Sequence, residues 1–106
     1  MEYYHFMTDF VLEEELIDIA DFFKVFADPT RLKILFLLNE GECSVNQIAE
    51  RLEMNQSAIS QQLKTLRSSR LVRFRKEGRS IIYRLNDDHI TKILTLGREH
   101  DEELIG

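Results

Sequence analysis

The sequence predicts a mainly α-helical domain carrying one β-hairpin, and three observations predict it. Apolar residues recur at helical spacing along most of the chain. In "LVRFRKEGRSIIYRL" the period switches from 3.6 to 2, with a glycine at the reversal. The length of 106 residues, with 43% hydrophobic and 31% charged residues, suits one ordinary globular core rather than disorder.

The elements follow in order. From about Thr8 to Ala27, Leu12, Leu16, Ile19, Phe23 and Phe26 keep helical spacing. In "ADPTR", Asp28 caps a second helix and Pro29 fits its first position. That helix, "TRLKILFLLNEG", is apolar around much of its circumference, so it belongs at the buried centre; Gly41 stops it. Ser44 and Gln47 are spaced as a capping box for "SVNQIAERL". After the polar break "EMN", a helix from about Gln56 to Ser69 lines Ile59, Leu63 and Leu66 along one face. Gln56, Ser57, Ser60, Gln61 and Lys64 line the other. In the hairpin, Arg73 and Arg75 alternate with Val72 and Phe74, and Glu77, Gly78 and Arg79 supply a basic turn. Asn86 or Asp87 caps a last helix running to about Leu104. No repeat, low-complexity segment or linker interrupts this order, so residues 1–106 read as a single domain.

Several function classes drop out. The longest purely apolar run, "ILFLL", is too short to span a bilayer. The start, "MEYYHFMTDF", has neither the basic nor the apolar region of a secretion signal, which favours the cytoplasm by default. Cys43 is the one cysteine, so one chain holds no disulfide and no thiolate-rich metal site. No nucleophile, base and pocket assemble into an enzyme site.

The net charge of −5 hides a strong asymmetry. Residues 1–22 hold seven acids and no Lys or Arg. Residues 64–84 hold Lys64, Arg67, Arg70, Arg73, Arg75, Lys76, Arg79 and Arg84 against Glu77 alone. Such a basic block is a candidate polyanion face. Two short helices joined by a tight turn, then a cationic hairpin, describe a winged helix-turn-helix. Its second helix fits the DNA major groove. Gln56, Ser57, Ser60 and Gln61 are the expected groove residues, with Lys64, Arg75, Lys76 and Arg79 on phosphates.

The last helix poses a separate question. His89 and His100 are eleven residues apart, close to a whole number of turns, so both share one face. They are also roughly 16 Å apart along the axis, too far to hold one ion within one helix.

"FADPTRLKILFLL", "NQSAISQQLKTLRSSRLV" and "KEGRSIIYRL" resemble the ArsR/SmtB family of bacterial metal-responsive repressors over nearly everything from Asp21 to Glu103. The resemblance implies a homodimer joined through its first and last helices, an operator with two-fold symmetry, and release of DNA when an inducer binds. One subgroup places a Cys-x-Cys pair where this chain has Ser44 and Asn46, with Cys43 one residue off, so that soft-metal site is absent. The family's other site, Asp-x-His, ten residues, His, two residues, Glu or His, is matched by Asp87, His89, His100 and Glu103. Across a two-fold axis, Asp87 and His89 of one protomer then meet His100 and Glu103 of the other, giving two sites. Gly97 allows the two helices a close approach. Two imidazoles and two carboxylates suit Zn²⁺, with Co²⁺ or Ni²⁺ able to use the same atoms. His5 is a possible added ligand, with a solvated arm residue as the plainer reading. The expectation is a metal-free dimer that holds the operator of a metal efflux or resistance gene and lets go when metal binds. Its rivals are a family repressor with a non-metal inducer and a metal-buffering protein that never binds DNA.

Overall fold

The computed structural model describes residues 11–105. The element order is α1 (Glu13–Phe26), α2 (Pro29–Glu40), β1 (Cys43–Ser44), α3 (Val45–Leu52), α4 (Gln56–Ser68), β2 (Val72–Glu77), β3 (Ser80–Leu85) and α5 (Asp88–Ile105). The expected start of the first helix near Thr8, like His5, lies outside the described residues. Within them α1 begins at Glu13, with Glu13, Glu14 and Glu15 at the positive end of its dipole and no side-chain cap at Leu12.

Local chemistry sets each boundary. The Asp28 carboxylate accepts the Arg31 backbone N–H at 3.0 Å, and Pro29 follows it into α2. Ile34, Leu35, Leu37 and Leu38 of α2 are buried, as its all-round apolar character predicts. The capping box at α3 is complete. Ser44 Oγ accepts the Gln47 N–H at 3.1 Å, and Gln47 Oε1 accepts the Ser44 N–H at 2.8 Å. Glu53 then takes a left-handed conformation (φ 53°) that turns the chain between α3 and α4. The Asn55 side chain accepts the Ala58 N–H at 2.8 Å and starts α4.

The strands form one antiparallel sheet in the order β1-β3-β2. Glu77 pairs with Ser80, so the reversal is the two-residue turn Gly78–Arg79, with Gly78 at φ 61°. Glu77, expected in the turn, is the last strand residue instead. The two-residue β1, with Cys43 opposite Tyr83 and Ser44 opposite Ile82, was not anticipated. Two residues are too few for any period to show.

One core joins these elements. Ile34, Leu35, Ile48, Ile59, Leu63 and Leu66 are fully buried, and Ile90 and Leu94 bring α5 onto the same cluster. Apolar surface remains outside it. Ile17 and Phe23 on α1 and Leu96 and Leu104 on α5 are each more than half exposed, from 54% to 75%.

Candidate nucleic-acid interface and metal half-site

The outer face of α4 gathers the residues read as groove contacts. Gln56, Ser57, Ser60, Gln61 and Lys64 are all exposed and line one shallow concavity of about 420 Å³. Burial of Ile59, Leu63 and Leu66 on the opposite side dictates this, since residues three and four apart share a helix face.

The wing is more differentiated than its charge count implies. Arg75 sits between two carboxylates, 2.6 Å from Glu42 and 2.9 Å from Glu77. A phosphate approaching Arg75 meets two carboxylates already on its guanidinium. The Arg75 hydrogen bond holds the Glu42 carboxyl below its ordinary range, and both carboxylates raise the guanidinium. Lys76 and Arg79 are exposed and make no ion pair among the described residues. Arg67 lies 4.3 Å over the Phe74 ring and joins the last turn of α4 to the wing. The sequence shows both residues but gives no sign that they meet.

At the other end of the wing, Asp87 precedes the first residue of α5 and acts as its cap. Its Oδ1 accepts the His89 backbone N–H at 2.9 Å and lies 3.0 Å from His89 Nδ1. Its Oδ2 accepts from the Asn86 side-chain amide at 3.0 Å. That amide, with help from His89, holds the Asp87 carboxyl below its ordinary range against the opposing effect of burial. Asp87 and His89 are therefore in side-chain contact, with the His89 side chain 82% exposed. His100 and Glu103 are exposed on the same helix, about 16 Å and about 21 Å beyond His89 by its rise per residue. Among the described residues, no three His, Cys, Asp or Glu side chains gather within one chain.

This half-site borders the end of α4. Asp87 and His89 share a cleft of about 600 Å³ with Ser69 and Arg70, and Arg70 has φ 61°. The Asn86 backbone N–H donates to the Leu71 carbonyl at 2.9 Å, tying the start of α5 to the turn after α4. Cys43 is buried, its thiol pushed up in pKa by that burial, and Ser44 is engaged in its cap. The positions of a thiolate pair thus hold a helix cap. Gly97 borders an apolar groove of about 780 Å³ with Phe26, Leu32, Phe36 and Ile93, and a Cβ built on it meets nothing within 4 Å. Among the described residues of one chain, nothing requires glycine there.

A helix-turn-helix whose second helix presents polar side chains, backed by a three-stranded sheet with a cationic tip, defines a winged helix-turn-helix protein. The family model for "Bacterial regulatory protein, arsR family" matches residues 28–73, from the cap of α2 into β2. A transcriptional repressor SmtB homolog from Synechocystis is 38% identical over 80% of this chain and 64% of its own length. A cadmium resistance transcriptional regulatory protein CadC homolog from Staphylococcus aureus is 33% identical over 83% of this chain and 74% of its own. The homodimeric winged helix-turn-helix DNA-binding domain Mb0332 of Mycobacterium bovis superposes with a TM-score of 0.80 at 33% identity. That match covers 85% of this chain and 83% of the other. The chain belongs to the arsR family of bacterial regulatory proteins. It spans just under two thirds of the SmtB homolog. Its relatives are transcriptional regulators, not enzymes.

Proposed function

We propose that the chain is a homodimeric transcriptional repressor that lets go of its operator on binding a borderline divalent metal ion, Zn²⁺ foremost. The carrying observation is the Asp87–His89 pair at the start of α5, with His100 about 16 Å along the same helix and Glu103 about one turn beyond it. Asp87 and His89 of one protomer, with His100 and Glu103 of its partner, would hold the ion in a two-nitrogen, two-oxygen set. The residues fit that role. Both members of the formed half are solvent-accessible, and the Asp87 carboxyl stays ionised well below neutral pH. Co²⁺ and Ni²⁺ can use the same atoms. A soft-metal set is not favoured, because the one cysteine is buried beside a helix cap. His5 carries no weight in this reading.

Dimerisation is supported by the exposed apolar faces of α1 and α5 and by the groove beside Gly97. The relative Mb0332 is described as homodimeric. In such a dimer, α4 of each protomer would enter successive major grooves about 34 Å apart. Lys76 and Arg79 would lie on the flanking phosphates. Bound metal supplies ligand bonds that join the two α5 helices. What the chain's own residues contribute is the route from α5 to α4. Asp87 caps α5 and holds the Asn86 amide, while Asn86 grips the Leu71 carbonyl just past α4. A ligand role for Asp87 in a two-chain site would draw its carboxylate from that cap and disturb the turn it anchors. About 1–3 kcal/mol of coupling suffices to change operator affinity several-fold to a hundredfold.

The test is a titration series of Zn²⁺, Co²⁺, Ni²⁺ and Cd²⁺ against the protein bound to DNA from upstream of its own gene. Zn²⁺, Co²⁺ or Ni²⁺ is expected to dissociate the complex at lower concentration than Cd²⁺, and His89→Ala to bind DNA yet resist release. A complex indifferent to every metal would mean another inducer. Tight metal binding without any DNA binding would mean a metal buffer.

A further inference from the structure

Arg31 makes contacts that neither the DNA face nor the metal half-site explains. It stands in the first turn of α2, its backbone N–H fixed by Asp28. Its side chain crosses to two other helices. Nη1 donates to the Val25 carbonyl at 3.4 Å, and Nε donates to Gln62 Oε1 at 3.1 Å. The Val25 carbonyl lies in the last turn of α1, where backbone acceptors lack intrahelical partners, and the Ala27 N–H closes on Lys24 instead. Gln62 belongs to α4, beside the exposed Gln61 but half-buried and outside the concavity that gathers the polar face.

We infer that Arg31 is a positioning residue that sets the rotation of α4 relative to α1 by hydrogen-bonding both through one rigid guanidinium. Ile59, Leu63 and Leu66 hold α4 against the core by apolar contacts, which are non-directional, whereas a hydrogen bond has a direction and adds a constraint on the helix's rotation. Arginine suits the task because its donors lie in one plane in a fixed fork, so the two acceptors are held in register. The compact, rotatable ammonium of lysine cannot do this. This rests on the proposed reading, in which α1 is part of the dimer frame and α4 meets the bases. On that reading, Arg31 joins frame to reading head inside each protomer. A rotated α4 would still meet phosphates, but its Gln61 and Ser57 would miss the base edges.

The experiment compares the wild type with Arg31→Lys, Gln62→Met and the double variant, on two readouts. The first needs no DNA: residual dipolar couplings of the α4 amides, fitted in the alignment frame of α1 and α2. Wild-type couplings are expected to fit the present geometry, and those of both single variants to depart from it, with the fold retained. The second is affinity for the chain's upstream DNA and for a random duplex. Each single variant is expected to lose about fivefold on the upstream DNA only, with an unchanged salt slope on either. The double variant should be no worse than the weaker single one, because both remove the same contact. Gln62→Met keeps the test decisive if Arg31→Lys folds poorly. Unchanged α4 couplings in a folded variant overturn the inference whatever DNA does. So does a parallel loss on the random duplex with a smaller salt slope, which marks a direct phosphate contact. A wild type without preference for its upstream DNA overturns the operator reading instead, and the couplings still decide Arg31.

Discussion

Arg75 shows how one neighbour changes what a charge is able to do. By sequence it is one of eight cations between residues 64 and 84. In the fold, Glu42 reaches it from the turn before β1, 33 positions away, and Glu77 from its own strand. Glu42→Gln removes the nearer carboxylate and leaves the guanidinium more open to phosphate. Anisotropy measured over a salt series is expected to show tighter DNA binding and a steeper salt dependence, by up to about one ion. Lys76→Ala and Arg79→Ala should each flatten the slope by about one ion. An unchanged slope for Glu42→Gln would place Arg75 away from phosphate altogether. The pH dependence has a definite sign. The Glu42 carboxyl is depressed in the fold from an ordinary value of 4.5. The ion pair is therefore in force above that value and fades only as pH falls through the depressed one. Both groups are exposed, so the contribution is small.

At the scale of elements, the recognition helix and its neighbours were legible because short-range chemistry marks their ends. Ser44 with Gln47 announced α3, Asp28 with Pro29 announced α2, and the polar face of α4 lies where its spacing put it. Ser44→Ala removes one half of the capping box and is expected to cost about 1 kcal/mol, read as a lower urea midpoint at unchanged slope. Gln61→Ala and Ser57→Ala should weaken binding to the upstream DNA and relax its sequence preference with no change in stability. Equal losses on random DNA would move these residues from bases to phosphates. What the sequence hid was pairing between distant segments. The short β1 exists only because β3 offers Tyr83 and Ile82 as partners. The Arg67–Phe74 stack and the Arg31–Gln62 bond likewise join residues whose nearness the fold creates. Of the candidate metal ligands, Asp87 was legible as one of two possible caps, and its contact with His89 comes with that capping. The distance to His100 follows from the helix itself.

At the scale of the whole molecule, one chain leaves apolar surface uncovered. Ile17, Phe23, Leu96 and Leu104 face outward, and Gly97 opens onto an apolar groove beside α5. On the proposed reading, a second copy seated there would bury these residues and bring two α5 helices together. Phe23→Glu places a charge in that contact and is expected to shift sedimentation toward monomer and to abolish tight metal binding along with DNA binding. The central claim, that each metal site is built from two chains, has a more direct test. His89→Ala and His100→Ala are purified separately; in each homodimer both sites are broken. They are then mixed and allowed to exchange subunits. In the heterodimer one site receives both damaged halves, while the other joins an intact Asp87 and His89 to an intact His100 and Glu103. Metal titration of the mixture is predicted to recover one tight site per heterodimer, about one per four chains if exchange is random. If exchange is verified and no tight binding returns, the two-chain site is contradicted.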